Sequence, residues 1–439
     1  MQPVTFRTLF ALAWPAAASA LLNNAFRIID QASVQWLGRD AQAAIGSCAF
    51  VAILLFACFA LVAAGATSVL ARRTGALDAR GRRRALGNGL LASLLVGLPV
   101  LVLLGLLAEP LSGWLGLGGE VARLSTRYLQ MLALVGLPLA LAPLLDAALV
   151  AMGLTRTMMV LQLVASLLNI LLNGLFIYGL DLGIEGAALA TGVSRGAAVA
   201  VGLVLVWRHT GFRLKSAAAH LRPGPDLRLM LRLGAPIAIN TAAYALVYQV
   251  LLRVAVSPLG PEVNAALGIG FSGLESLSWP AFWGLSMAIA GLVGRNLGAG
   301  RPDEAARAIR LALPLSLGLG FAALLLFTFG ARPLCDLFTD DPVVLEQAVL
   351  YARILAWSQP FVAIEALAEG VLEGSGDTRA VLLWSTPLNA LRVPLAWGLA
   401  IALGWGPAGI WWAINLTTVA KALGKGGAVL GGGWKRVQV

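Results

Sequence analysis

The chain has 439 residues, of which 59% are hydrophobic and only 12% charged, where soluble domains carry about a quarter charged residues. So apolar a chain cannot cover itself with polar surface, which excludes a large soluble catalytic domain and points to an integral membrane protein. The net charge of +11, from 32 Lys and Arg against 21 Asp and Glu, reads as basic loops holding a membrane protein in orientation rather than as a nucleic-acid surface.

A membrane helix needs about 20 apolar residues, and the hydrophobic runs predict twelve spans. They fall at 7–37, 42–70, 85–108, 124–150, 156–179, 184–207, 230–257, 264–293, 306–329, 344–372, 377–403 and 408–430. The first carries Pro15, Asn23, Asn24, Arg27, Asp30 and Gln31, and is too long, without a small-residue cleavage site after it, to read as a signal peptide. The fourth carries Tyr128 and Asp146, the fifth Asn169 and Asn173, the sixth Thr191 and Arg195. The basic, proline-containing segment 208–229 divides the chain into an N-lobe at 1–207 and a C-lobe at 230–439. Beyond it lie Arg253, Glu275, Glu365, Glu369, Arg392 and Lys421.

Basic residues crowd the even-numbered connections. Arg72, Arg73, Arg80, Arg82, Arg83 and Arg84 follow the second span; Arg208, Arg213, Lys215, Arg222 and Arg228 the sixth; Arg295, Arg301, Arg307 and Arg310 the eighth. The positive-inside rule therefore predicts both termini in the cytoplasm. The halves also repeat. LAWPAAASALL pairs with LGAPIAINTAA, setting Pro15 against Pro236; RRTGA pairs with RNLGA, GLTRT with GDTRA, and Asp146 with Glu369. From residue 72 the offset stays at 223. Each half has an even number of spans, so the repeat is parallel, about an axis along the membrane normal. Two pseudo-symmetric six-helix lobes with a substrate site at their interface are the expected all-α architecture, that of an alternating-access transporter.

Charges at membrane depth are costly and are functional candidates by default. Asp30 stands out because its repeat partner is Leu251, so the fold does not require a carboxylate there. An acid shielded from water is costly to keep charged and suits proton coupling; a pair with Arg27 one turn earlier would instead hold it inert. Asn24, Asn169, Asn173, Thr191 and Tyr128 supply either a polar pocket around Asp30 or interhelical contacts of about 1 kcal/mol or less each. Pro15 removes a backbone hydrogen bond and bends the first helix. Asp146 and Glu369 are expected to form salt bridges with the nearby basic loops. Glu275, Arg392, Arg253 and Glu365 in the C-lobe either neutralise one another or receive a charged substrate or ion. No span holds a His, and Cys48, Cys58 and Cys335 are too scattered for a disulfide framework or metal site, so neither an intramembrane enzyme nor a bound cofactor is expected.

GRNLGAGRPDEA after the eighth span, its partner ARRTGALDARG, LNILLNGLFIYGLDLGIEGAALAT and GVLEGSGDTR, together with Pro15 and Asp30, resemble the multidrug and toxic compound extrusion (MATE) family over nearly the whole chain, and its DinF-like branch best. The resemblance implies a V-shaped, twelve-helix, monomeric exporter in the bacterial inner membrane. It would expel organic, cationic or amphipathic compounds against entry of H⁺, with Na⁺ coupling, or flipping of lipid-linked amphiphiles, as the alternatives. It places the coupling carboxylate on Asp30, the bending proline on Pro15 and the polar partners on Asn169, Thr191 and Tyr128. The chain departs from many relatives in having Asn173 where they have an aspartate. The acid that the NorM-like branch uses in the seventh helix has no counterpart at 230–257.

Overall fold

The computed structural model describes residues 3–211 and 223–439. Of the expected basic linker, Arg213, Lys215, His220 and Arg222 lie outside the described residues. All regular structure among the described residues is helical. Each expected span falls on a helix or on two in succession: Phe6–Ser33, Arg39–Gly75, Ala79–Leu106, Gly119–Val135 with Leu137–Met152, Thr155–Asn173, Gly183–Thr210, Pro225–Leu251, Pro261–Gly268 with Glu275–Gly298, Pro302–Phe329, Pro342–Ala356 with Gln359–Ser375, Thr378–Trp397 and Pro407–Leu430. The seventh helix starts earlier than the sequence suggests and takes in Asp226, whose carboxylate pairs with Arg73 at 3.1 Å.

Among the described residues, eight stretches are long and apolar enough by themselves to cross a membrane, or nine if the bent fourth span counts as one crossing. The tenth span falls outside that set because it is divided into helices of 15 and 17 residues, and the eleventh and twelfth carry buried polar side chains, including Arg392, Asn415, Lys421 and Lys425. An ionic group can be tolerated at membrane depth when protein rather than lipid surrounds it.

Local breaks follow the sequence. The fourth span bends by 57° between Val135 and Leu137. At Gly136, between them, a Cβ would lie 2.4 Å from the Leu132 carbonyl oxygen. Gly153 and Gly376, of the repeated GLTRT and GDTRA, end the fourth and tenth spans with φ of 76° and 90°, the left-handed cap that a glycine adopts without penalty. π-helical turns close the fifth and eleventh spans at Gly174–Gly179 and Gly398–Ala402, matching positions in the repeat, and another occupies Ile269–Leu274 in the eighth. Such turns recur at functional sites; here one directly follows Asn173 and another directly precedes Glu275.

Residue contacts gather the helices into two compact units, Leu22–Ala238 on the one hand and Met1–Leu21 with Ile239–Val439 on the other. The divisions thus fall inside the first and seventh helices, a few residues after Pro15 and Pro236, rather than in the linker. In the first of these units the second and seventh helices cross backbone to backbone. A Cβ on Gly65 would stand 2.0 Å from the Met230 carbonyl oxygen, and one on Gly234 would stand 1.6 Å from that of Leu61. Small residues at a crossing let two helices touch where hydrocarbon supplies no hydrophobic drive. Gly234→Ala is therefore expected to destabilise the protein by about 1–3 kcal/mol through overpacking, seen as a lower Tm in detergent. Gly318→Ala, where an added Cβ meets nothing within 4 Å, should leave Tm unchanged or slightly raised.

Candidate transport site

In the unit Leu22–Ala238, Asp30 is 7% exposed. Its carboxylate accepts hydrogen bonds from Asn173 Nδ2 at 3.0 Å and from Thr191 Oγ1 at 2.8 Å. The first, fifth and sixth spans thus meet at one side chain. Asn173 Nδ2 also donates to Ser33 Oγ at 3.2 Å and Asn169 Oδ1 at 3.3 Å, while the Tyr178 hydroxyl donates to the Ser33 carbonyl. Asn169 and Asn173 stand four residues apart on one face, as their spacing requires, and both are fully buried. Asn169 Nδ2 and Asn173 Oδ1 find no hydrogen-bond partner among the described residues, so the cluster keeps unused bonding capacity beside the carboxylate.

Three sequence expectations change here. Arg27 does not pair with Asp30: it is turned outward and donates to Asn24 Oδ1 at 2.9 Å. No Lys or Arg forms an ion pair with Asp30 among the described residues, so its donors are neutral. Tyr128 makes no hydrogen bond to Asp30; it packs among Val34, Ala44, Cys48 and Leu129. Pro15 lies buried inside the first helix but belongs to the other compact unit. Arg195, noted in the sixth span but not placed at the site, donates to Asn23 Oδ1 at 2.6 Å with its guanidinium 4.4 Å from the Phe26 ring centre.

The second unit holds a separate polar core. Glu275 accepts from the Tyr351 hydroxyl at 2.5 Å. Arg392, 2% exposed, donates to Tyr248 and Thr417 at 3.1 Å and to Thr418 at 3.4 Å, and among the described residues no carboxylate pairs with it. The expected direct pairing of Glu275 with Arg392 is absent; hydroxyl groups serve each instead. Glu365 pairs with Lys421 at 3.1 Å and with Lys425 at 2.9 Å, and Lys425 also bonds Glu369. Glu369 thus finds its cation on the twelfth span rather than in a basic loop, and Asp146 forms no ion pair at contact distance among the described residues. Arg253 is exposed on a π-helical turn and joins neither cluster. Lys425 was missed by sequence reasoning, although its signal was present: Glu365 and Glu369, like Lys421 and Lys425, stand at i and i+4 and so share a helix face.

Breaking a buried pair strands its partner, at a cost of about 3–5 kcal/mol. Lys425→Met, which leaves Glu365 and Glu369 short of a cation, should lower folded yield and Tm in detergent sharply. Lys425→Arg, which keeps the charge, should lose much less in the same measurement.

Comparison with known proteins places this architecture. The MatE family model matches residues 15–175 and 236–397, one match to each half of the internal repeat. The chain is 26% identical to a probable multidrug resistance protein NorM of Thermotoga maritima, over 99% of this chain and 94% of that one. It is 30% identical to a NorM of Pseudomonas putida over 96% and 94%, and 28% identical to an FAD transporter of Shewanella oneidensis over 89% and 83%. Among solved structures, the Vibrio cholerae MATE transporter VcmN superposes with a TM-score of 0.88 at 22% identity, covering 97% of each chain. A MOP superfamily transporter from Pyrococcus furiosus superposes with a TM-score of 0.89 at 20% identity, covering 98% and 97%. The fold is theirs, and with both repeats matched by the family model, this multi-pass integral membrane protein belongs to the MATE family of transporters and not to an enzyme family.

Proposed function

We propose that the chain is a proton-driven antiporter of the bacterial inner membrane that exports organic, cationic or amphipathic compounds by alternating access between its two lobes. Its NorM relatives are named as probable multidrug resistance proteins. The observation that carries proton coupling is the bonding of Asp30. A buried carboxylate balanced by an adjacent Lys or Arg stays charged; one held only by neutral donors, Asn173 and Thr191, is free to gain and lose a proton. Protonation removes the attraction for these donors, which ties the state of Asp30 to the approach of the first, fifth and sixth helices. The DinF-like assignment rests on Asp30 with Pro15 and on the absence of Asp and Glu from 230–257.

A Na⁺-driven reading has one observation in its favour: Asn173 Oδ1, buried and without a partner beside the Asp30 carboxylate, is an oxygen of the kind a hard cation takes. Purified protein in liposomes, with H⁺ and Na⁺ gradients imposed separately, decides between them. Export of a fluorescent organic cation should follow the H⁺ gradient alone.

Asp30→Asn should reduce pH-driven export to the level of empty liposomes while the protein remains folded; undiminished export would remove Asp30 from the mechanism. Thr191→Val deletes one donor to the charged form of Asp30. The pH of half-maximal transport should then rise by about one unit, since a hydrogen bond to a charged group contributes about 1.5–3 kcal/mol.

A further inference from the structure

In the unit that holds Ile239–Val439, Glu275 and Arg392 form no ion pair among the described residues, yet contacts bring both to one set of rings. Glu275 directly follows the π-helical turn Ile269–Leu274 and accepts the Tyr351 hydroxyl at 2.5 Å. The Tyr351 ring lies against that same turn: a Cβ on Gly270 would stand 2.1 Å from one of its carbons. Phe271, the next residue of the turn, meets the Tyr248 ring with 5.7 Å between centres, and Tyr244, one turn back on the seventh helix, meets Tyr248 at 4.7 Å. Arg392 donates to the Tyr248 hydroxyl at 3.1 Å, and its guanidinium lies 5.4 Å from the centre of that ring. An acid and a guanidinium thus stand at the two ends of one run of contacts, through Tyr351, the turn at Gly270 and Phe271, and Tyr248.

Each of these two charges is bonded by neutral groups and keeps bonding capacity. Glu275 Oε2 takes no hydrogen bond among the described residues. Arg392 spends three N–H groups on the hydroxyls of Tyr248, Thr417 and Thr418, and a guanidinium has five. In the same unit Glu365, Lys421 and Lys425 are committed to one another. A carboxylate forms stronger, charge-assisted bonds with a guanidinium than a hydroxyl does. Glu275, Tyr244 and Tyr248 are half-buried and Phe271 is exposed, so protein does not close over this face, while Arg392 is reached through Tyr248. We propose that this face binds zwitterions: a flat aromatic compound lies against Tyr244, Tyr248 and Phe271, with its cationic centre toward Glu275 and its carboxylate on Arg392. The carboxylate takes the place of the Tyr248 hydroxyl on Arg392 Nη1, and the ring faces add their own attraction for the cation. A compound with the cation alone leaves Arg392 as it was, and one with the anion alone is repelled by Glu275, so full affinity needs both charges. This rests on the reading of the chain as an exporter of organic compounds and deepens it by naming the substrate class.

The test uses rhodamine B, which carries a carboxylate on a cationic ring system, and its ethyl ester, which keeps the ring system and loses the carboxylate. Binding of each to the purified full chain in lipid nanodiscs is followed by fluorescence polarisation, with empty nanodiscs subtracted. The unmodified protein should bind rhodamine B about tenfold more tightly than the ester, the gain of one charge-assisted contact. Arg392→Gln should abolish that preference by weakening rhodamine B alone, and Glu275→Gln should weaken both dyes. Arg392→Gln leaves no paired acid without its cation and keeps amide donors for the hydroxyls around it, so the variant should fold. Equal affinity of the unmodified protein for the two dyes overturns the proposal. So does an equal loss for both dyes in Arg392→Gln, the result of a purely structural role. If Arg392→Gln does not fold, the dye preference of the unmodified protein and the loss in Glu275→Gln carry the test, and the absence of either overturns the proposal. Export in liposomes under an H⁺ gradient is read separately. Preferential binding of rhodamine B without export of either dye overturns the antiport reading and leaves the site; export of both dyes without preferential binding overturns only the site.

Discussion

A carboxylate deep in a membrane protein, held by an amide and a hydroxyl instead of a cation, is the constraint on which the first half of this chain turns. Dipoles can stabilise a negative charge without cancelling it, and that is the ground on which proton coupling is proposed for Asp30. The fifth span delivers Asn173 at its last α-helical turn, immediately before the π-helical turn of Gly174–Gly179. The sixth delivers Thr191, and Arg27, the nearest cation in sequence, is turned away to Asn24. Arg195 lies one turn further along the sixth span, bonded to Asn23.

The internal repeat shows how freely polar cargo has been redistributed over one backbone plan. Asn169 and Arg392 are repeat equivalents, as are Arg195 and Thr418, and Asp30 and Leu251. In one unit Asn169 lies beside an acid; in the other, Arg392 fills that position and bonds Thr418, the counterpart of Arg195. Leu251, where Asp30 would fall, is packed with Tyr351, Ile410 and Trp411 in an apolar core. The backbone signals of the repeat, the left-handed glycine caps at Gly153 and Gly376 and the π-helical turns after the fifth and eleventh spans, remain in register. Geometry was retained while charge diverged.

Twelve spans, their order and the prominence of Asp30, Asn169, Asn173 and Thr191 were legible in the sequence, because hydrocarbon thickness dictates helix length and i, i+4 spacing dictates a shared face. Partner choice was not. Arg27 is nearest to Asp30 along the helix, yet the side chain follows Asn24; Glu275 and Arg392 lie at similar depth, yet tyrosine and threonine hydroxyls intervene. Spacing states which residues share a helix face, whereas contacts across helices depend on rotation about each axis, and the bend at Gly136 and the π-helical turns change that rotation in ways that apolar periodicity does not record. The positions at which the chain divides into compact units, within the first and seventh helices, have no compositional signal for the same reason.

The Glu365, Glu369, Lys421 and Lys425 cluster has a consequence of its own. Two acids and two amines, covalently tethered and nearly dry, bond one another directly, so the ammonium groups occupy the places that dissolved cations would otherwise fill. Contacts of this kind need no dissolved ion to complete them. The two halves of the duplication thus carry different polar cargo, a carboxylate held by an amide and a hydroxyl in one and a network of paired charges in the other.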